Sequence, residues 1–72
     1  MIVYNDIMRK LAENGWSSYR IRKEKVIPEG TITRIRNNDS ISMDTLNVIC
    51  ELCECQPGDL LMWIPDMRIK KE

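Results

Sequence analysis

Residues 19–38, YRIRKEKVIPEGTITRIRNN, decide the fold that this sequence predicts. Pro28 divides the stretch, because the residue before a proline is steered away from helical geometry while proline itself suits the first turn of a helix. The stretch therefore predicts two short helices with a tight break between them. It also contains more than half of the basic residues of a chain whose formal net charge is zero. A helical hairpin with a local basic face is typical of small DNA-binding domains.

Acidic and basic residues are segregated along the chain. Residues 17–36 contain six basic and two acidic residues, whereas residues 39–66 contain six acidic residues and no basic one. A polyanion is attracted to the first segment and repelled by the second, which orients its approach. Solvated helix faces can also segregate by sign, so the pattern alone leaves that alternative open.

The length and composition narrow the class of protein. A chain of 72 residues makes one domain with a modest core. It has no apolar run near the roughly 20 residues of a membrane span, and its N-terminus does not resemble a secretory signal, so we expect a soluble cytoplasmic protein without membrane association. It contains no histidine, glycine-rich phosphate loop or paired nucleophile and base. We therefore expect no enzyme, no cofactor and no small-molecule substrate.

Capping residues, prolines and apolar spacing predict five helices, and the expected fold class is all-α. The first helix is expected from a cap at Asn5 or Asp6 to Gly15, the second from Ser17 or Ser18 to about Lys25, the third from Pro28 to residues 37–39, the fourth from Ser42 to the turn at residues 55–56, and the fifth from Pro57 to Pro65. Residues 1–4 are apolar and β-branched enough to be extended. We expect one domain over residues 1–66 and a flexible tail over residues 67–72.

Apolar spacing also predicts which helix faces are buried. In the second helix we expect Tyr19 and Ile21 to be apolar anchors. In the third helix, Ile32 and Ile35 are expected to face inward. The side chains that then point largely away from the core belong to Thr33, Arg34 and Asn37, with Gly30 on the same side. In the fourth helix, one apolar stripe is expected from Leu46, Ile49, Cys50 and Cys53.

Three cysteines form the pattern Cys50-x-x-Cys53-x-Cys55. Three thiolates can hold zinc with an outside ligand, but no histidine is present to complete a common site. Two of the three lie on the apolar stripe of the fourth helix, where free cysteine acts as a small hydrophobe. Core packing is therefore the favoured interpretation, with no bound metal, and a redox or metal sensor is the alternative.

Two blocks of sequence resemble a known family. They are Thr31-Ile32-Thr33-Arg34-Ile35 and the stretch from Thr45-Leu46 through Asp59-Leu60-Leu61. Both resemble the Cro/repressor-type helix-turn-helix family, also called XRE, and especially its compact single-domain bacterial regulators. The resemblance covers about residues 4–65. It implies five helices, of which the third, about residues 28–37, lies in the major groove of double-stranded DNA.

The resemblance also implies a set of DNA contacts. Contacts to base edges are implied for Glu29, Gly30, Thr33 and Arg34. Contacts to the DNA backbone are implied for Ser18, Arg36, Asn37 and Asn38. Exposed arginines on a short helix are often only solvated, so this alternative stays open for Arg34 and Arg36. One module of this size buries little DNA surface, so we expect a homodimer on DNA. The expected dimer surface is the fifth helix with Leu60, Leu61, Met62 and Trp63, and the alternative for the same residues is that they only close the core.

Four residues depart from the family pattern. Arg22 stands where a small residue is usual, so we expect its stem to run along the packing surface. Val26 replaces the usual turn glycine, so the turn must avoid a positive φ there or accept strain. Glu29 and Gly30 replace amide side chains. We expect Glu29 to accept from a cytosine amino group or to stay in solvent, and Gly30 has no side chain to contact a base.

Two hypotheses for function follow from these patterns. The first is a sequence-specific DNA-binding transcriptional regulator. The second is a protein-interaction module, antitoxin-like or anti-repressor in kind, that uses the same fold and binds a protein partner through its acidic fourth and fifth helices.

Overall fold

The computed structural model describes residues 1–65. The elements, in chain order, are β1 (Ile2–Tyr4), α1 (Ile7–Glu13), α2 (Ser18–Glu24), α3 (Glu29–Arg36), α4 (Met43–Cys53), α5 (Pro57–Leu60) and β2 (Leu61–Trp63). All five expected helices are present, but the two strands make the all-α class only approximate. The flexible tail expected over residues 67–72 lies outside the described residues, and the domain boundary at residue 66 stays a prediction.

The two strands join opposite ends of the described chain. They are antiparallel, with Ile2 opposite Trp63, Val3 opposite Met62, and Tyr4 opposite Leu61. The expectation of an extended segment at residues 1–4 is therefore confirmed.

The fifth helix is shorter than expected, and its predicted extension to Pro65 is wrong. It is a single turn, at whose start the Asp59 carboxylate accepts a hydrogen bond from the Gln56 backbone N–H at 3.0 Å. Leu61 then adopts extended geometry, with φ −127° and ψ 150°. In this extended geometry the residues after Leu60 form backbone hydrogen bonds with β1. A longer helix would not form these bonds with β1.

The core takes side chains from every helix. Its buried members are Ile7, Leu11, Ile21, Ile27, Ile35, Leu46, Ile49, Cys53 and Leu60. None of the buried side chains within residues 1–65 is polar or charged. The apolar stripe predicted on α4 is confirmed, since Leu46, Ile49 and Cys53 are buried and Cys50 is half-buried. The five helices together therefore fix the orientation of α3, whose own buried residue is Ile35.

Local capping explains where several helices begin and end. Ser17 accepts a hydrogen bond from the Arg20 backbone N–H at 3.2 Å, and Ser42 accepts one from that of Thr45 at 3.1 Å. These bonds satisfy N–H groups that the first turn of a helix leaves without partners. Gly15 follows α1 with φ +85°, as its predicted role as a stop signal requires. The sequence signals for these boundaries are confirmed.

The turn between α2 and α3 resolves the question raised by Val26. Val26 does not have a positive φ; the left-handed residue is its neighbour Lys25, with φ 53° and ψ 36°. Val26 is then free to pack, half-buried, against the core. The turn thus avoids a positive φ at Val26 by placing it one residue earlier.

None of the helices described within residues 1–65 is long and apolar enough to cross a membrane.

Candidate nucleic-acid interface

A cleft between α2 and α3 brings several of the predicted site residues together. Its floor is apolar and includes Ile21 and Ile27, which are buried. Its rim is polar and consists of Ser18, Arg22, Glu29, Thr33 and Arg36. On α2 the two rim residues are four positions apart, and on α3 the three rim residues are four and three positions apart. Residues at these spacings lie on one side of a helix, so each helix contributes one polar row to the cleft.

One end of the cleft is bridged by two predicted backbone-contact residues. The Nη2 atom of Arg36 donates a hydrogen bond to Ser18 Oγ at 3.1 Å. This bond joins the last turn of α3 to the first turn of α2, and both residues are exposed. A guanidinium and a hydroxyl at a helix N-terminus are groups that commonly contact phosphate. The structure therefore places Ser18 and Arg36 at one shared location.

The other end is bridged by an ion pair that the sequence did not predict. Arg22 Nε lies 2.5 Å from Glu29 Oε1, and the two side chains are 65% and 70% exposed. Most of the Arg22 side chain is therefore in solvent, and the course of its stem along the packing surface stays a prediction. Glu29 has a partner inside the protein, which neither alternative foreseen for it included. Sequence reasoning missed Arg22 as a site residue because it considered only the packing of that position.

The outward face of α3 has the predicted orientation. Ile35 is buried and Ile32 is half-buried, while Thr33 and Arg34 are exposed. A Cβ placed on Gly30 would have no neighbour within 4 Å, so the helix surface is open there. The inward and outward sides of this helix are confirmed.

Thr33 and Arg34 differ in how far they are already engaged. Thr33 Oγ1 donates to the Glu29 carbonyl oxygen at 3.2 Å, which leaves the hydroxyl oxygen as an acceptor. Within residues 1–65, Arg34 takes part in no ion pair and its side chain donates no hydrogen bond to protein. Of these two side chains, Arg34 therefore offers the greater unused donor capacity.

Asn37 and Asn38 end α3 in different ways. Asn37 is the C-cap of α3, and Asn38 takes the left-handed conformation with φ 58°. The side-chain amide of Asn38 bonds to β1: its Oδ1 accepts from the Tyr4 N–H at 3.0 Å, and its Nδ2 donates to the Ile2 carbonyl oxygen at 3.2 Å. The DNA contact implied for Asn38 stays a prediction, and its side chain holds the end of α3 against the sheet.

Tyr19 is not the apolar anchor that we expected. The residue is 70% exposed, and the Lys23 ammonium lies 5.9 Å from its ring centroid. Residues two apart on a helix point in different directions, so Tyr19 cannot share the buried side of α2 with Ile21. The two-residue spacing between Tyr19 and Ile21 in the sequence is the signal that could have identified Tyr19 as a surface residue beside Ser18.

The Arg20 side chain bonds to neighbouring groups of the protein, so its charge is not free to contact DNA. Its guanidinium carbon lies 3.9 Å from the centroid of the half-buried Trp16 ring. Its Nε lies 2.7 Å from Glu24 Oε2, and its Nη1 donates to the Gly15 carbonyl oxygen at 3.0 Å. A cation over an aromatic face and an ion pair together hold this side chain across the α1–α2 turn. Arg20 is therefore not among the arginines that face the cleft.

The cysteines pack against the core as expected. Cys53 is buried, and Cys50 and Cys55 are half-buried. Burial is the main cause that raises the pKa of the Cys50 and Cys53 thiols, and the neighbouring Cys55 raises both further. Both thiols are therefore protonated at neutral pH, which disfavours metal ligation and nucleophilic reactivity. Within residues 1–65, no cluster of three or more cysteine, histidine, aspartate or glutamate side chains is arranged to hold a metal ion.

Comparison with known proteins agrees with this geometry. The family model described as the Cro/C1-type HTH DNA-binding domain matches residues 6–66, which is most of the chain. Comparison of the chain with curated proteins and with solved structures gives no match. The matched segment contains α1 through β2 and hence both helices of the cleft. The chain therefore belongs to the Cro/C1-type helix-turn-helix family of DNA-binding domains.

Proposed function

We propose that this protein is a sequence-specific transcriptional regulator that binds double-stranded DNA in the cytoplasm, with residues 28–37 in the major groove. The observation that carries the proposal is the exposed outward face of α3, with Gly30, Thr33 and Arg34 in solvent, in a chain of DNA-binding family. Helices of this motif use such a face to contact base edges.

The residues of this face have distinct roles in the proposed complex. Arg34 donates to base edges from its free guanidinium, and Thr33 accepts through its remaining oxygen lone pair. Gly30 lets the helix backbone approach the bases closely, since it has no side chain to hold it away. Ser18, Arg36 and the loop at Asn37–Asn38 contact phosphates and so fix the orientation of α3 in the groove.

Binding as a homodimer completes the proposal. A single small module buries about 600–1,000 Å² on DNA, and two modules on half-sites about 34 Å apart gain affinity from both. Of the residues first considered for the dimer surface, Leu60 is fully buried and closes the core. Met62 and Trp63 are 46% and 66% exposed on β2, beside Ile2 on β1 at 53%. Ile2 and Trp63 lie opposite each other in the sheet and so on the same face, and these two side chains form the proposed dimer surface; Met62 lies on the other face.

The test compares two charge-matched double variants. Duplexes are first selected from random DNA with the wild-type protein, and binding is then measured to the selected site and to random duplex. Arg34→Ala with Arg36→Ala is expected to lower the preference for the selected site by about 5- to 150-fold, because a good arginine–base contact such as that proposed for Arg34 contributes about 1–3 kcal/mol of discrimination.

The matched control is Lys23→Ala with Lys25→Ala. It removes the same charge from α2, so it is expected to weaken both duplexes alike and to reduce the salt slope by about one unit per lysine at most. If the arginine double variant binds the selected site as tightly as the wild type, α3 does not present its outward face to DNA.

The alternative function, a protein-interaction module, is favoured by one specific observation. The exposed apolar side chains of Ile2 and Trp63, which lie on the same face of the sheet, form the kind of surface that protein partners cover. Salt distinguishes the two functions. A DNA-binding protein loses duplex affinity steeply between about 50 and 200 mM salt, because it releases counterions from phosphates. Binding to duplex DNA that is absent even at 50 mM salt would favour the protein partner instead.

A further inference from the structure

The Arg22–Glu29 ion pair lies at the end of the cleft where the recognition helix begins. Arg22 is in the last turn of α2, and Glu29 is the first residue of α3. Both side chains are largely in solvent. Because the two residues belong to different helices, their contact fixes one side chain relative to the other across the turn.

An exposed ion pair of this kind stabilises a fold very little, since solvent screens it and both side chains lose rotamer freedom. Its larger effect is on orientation. The contact of the pair is made by the Nε atom of Arg22, and within residues 1–65 neither Nη group of this side chain donates a hydrogen bond to protein. The two Nη groups are thus left free in a side chain that is largely in solvent, and together they can donate two parallel hydrogen bonds.

The position of this free edge suits a base rather than a phosphate. The N-terminal residues of a recognition helix are those that contact base edges, and Glu29 is the first of them in α3. The next residue, Gly30, has no side chain and an open surface. A carboxylate next to the guanidinium makes the pair neutral and repels phosphate, whereas two parallel donors match the O6 and N7 acceptors of guanine.

We propose that Arg22 reads a guanine in each half-site and that Glu29 is its positioning residue. The inference rests on the proposed DNA-binding function and adds a specificity-determining residue to it. Arg22 supplies the base contact that Gly30 lacks, and it does so from α2 rather than from the recognition helix.

The experiment measures base preference position by position, with duplexes selected from random DNA by wild type, Arg22→Ala, Arg22→Lys and Glu29→Ala. Arg22→Ala is expected to lose its preference for guanine at one position of each half-site by about 5- to 150-fold, as the loss of one bidentate contact requires. Arg22→Lys keeps the charge without the planar fork, so it is expected to lose the same preference.

Glu29→Ala separates positioning from attraction. With Arg22 released, the preference for guanine is expected to fall, while affinity for random duplex rises and the salt slope steepens by up to about one unit. The Arg22→Ala, Glu29→Ala double variant is expected to lose no more preference than Arg22→Ala alone. The control is Glu51→Ala, which removes an equal charge from the exposed surface of α4 and should leave base preference unchanged.

Two results overturn the inference in different ways. If the wild type enriches a site and Arg22→Ala enriches the same site with equal discrimination, Arg22 reads no base, although the proposed function stands. If the wild type enriches no duplex at all, the proposed function fails and this inference fails with it. A purely structural role for the pair would change the unfolding midpoint but not the preference at one base position.

Discussion

Replacing Lys25 with glycine is expected to stabilise this protein. Lys25 ends α2 in the left-handed conformation, with φ 53° and ψ 36°. A residue with a Cβ gives up roughly 1–2 kcal/mol in that region, because its Cβ crowds the following carbonyl oxygen. Glycine avoids this cost but loses about 0.5–1 kcal/mol more conformational entropy on folding than alanine does. The net expectation for Lys25→Gly is a gain of about 0.5–1 kcal/mol in the free energy of unfolding.

The gain is measurable because the domain is small. For a chain of this size, 1 kcal/mol corresponds to about 4–8 °C in the unfolding midpoint, so we expect a rise of roughly 2–8 °C. Urea unfolding at 25 °C, followed by far-ultraviolet circular dichroism, gives the free energy independently of the thermal scan.

Two control variants make the sign of the effect informative. Lys23→Gly is the same substitution two positions earlier, inside α2, and there glycine is expected to destabilise by about 1 kcal/mol. Val26→Gly places glycine where the family usually has it. Because Val26 has no positive φ and packs against the core, that variant is also expected to be less stable.

The reasoning is refuted by the opposite ranking. If Val26→Gly is more stable than the wild type and Lys25→Gly is not, the left-handed residue of the turn is Val26. The α2–α3 turn would then follow the usual family geometry, and the position of Glu29 relative to Arg22 would have to be revised with it.

Two further predictions concern caps and thiols. Ser42→Ala removes the N-cap of α4 and should cost about 1 kcal/mol, whereas Ser42→Asp should retain most of that stability; equal urea midpoints for all three proteins would contradict the cap. Burial raises the pKa of Cys50 and Cys53, so their contribution to stability is complete below the ordinary thiol pKa of about 8.5 and is lost as the pH rises toward the folded values. The urea midpoint of the wild type should therefore fall above about pH 8.5. In a Cys53→Ala variant the midpoint, compared with its own value at pH 7, should fall less. A wild-type midpoint that stays level up to pH 9.5 would speak against this linkage.

Much of the fold could be predicted because its signals are local. Ser17, Ser42 and Gly15 mark helix boundaries through contacts with residues no more than a turn away. The inward side of α3 follows from the spacing of Ile32 and Ile35 alone. Such signals depend on the period of the helix and not on what it packs against.

Strand β2 could not be predicted for the opposite reason. Leu61–Trp63 continues an apolar run out of α5, and three residues are too few for a period of two to differ from a helical one. What makes it a strand is pairing with β1 at the other end of the described chain. That pairing depends on the packing of all the intervening helices.

The candidate site divides in the same way. The exposure of Thr33 and Arg34 was predictable from their place opposite the buried residues of α3. The contact between Arg22 and Glu29 was not, because it depends on the geometry of the turn, and that geometry follows from a positive φ at Lys25 that no residue type announces. Lysine there gives no signal, whereas a glycine would have.

The small sheet has a consequence for the order of events in folding. Ile2 and Trp63 pair although about 60 residues separate them, and closing a loop of that length costs more entropy than any contact between neighbouring helices. The two strands hold only three residues each, so they return little until the helices have brought them together. Helix pairs such as α4 and α5, which are adjacent in the chain, can associate first. The sheet is therefore expected to close after the transition state, so that substitutions in β1 speed unfolding while leaving the rate of folding almost unchanged.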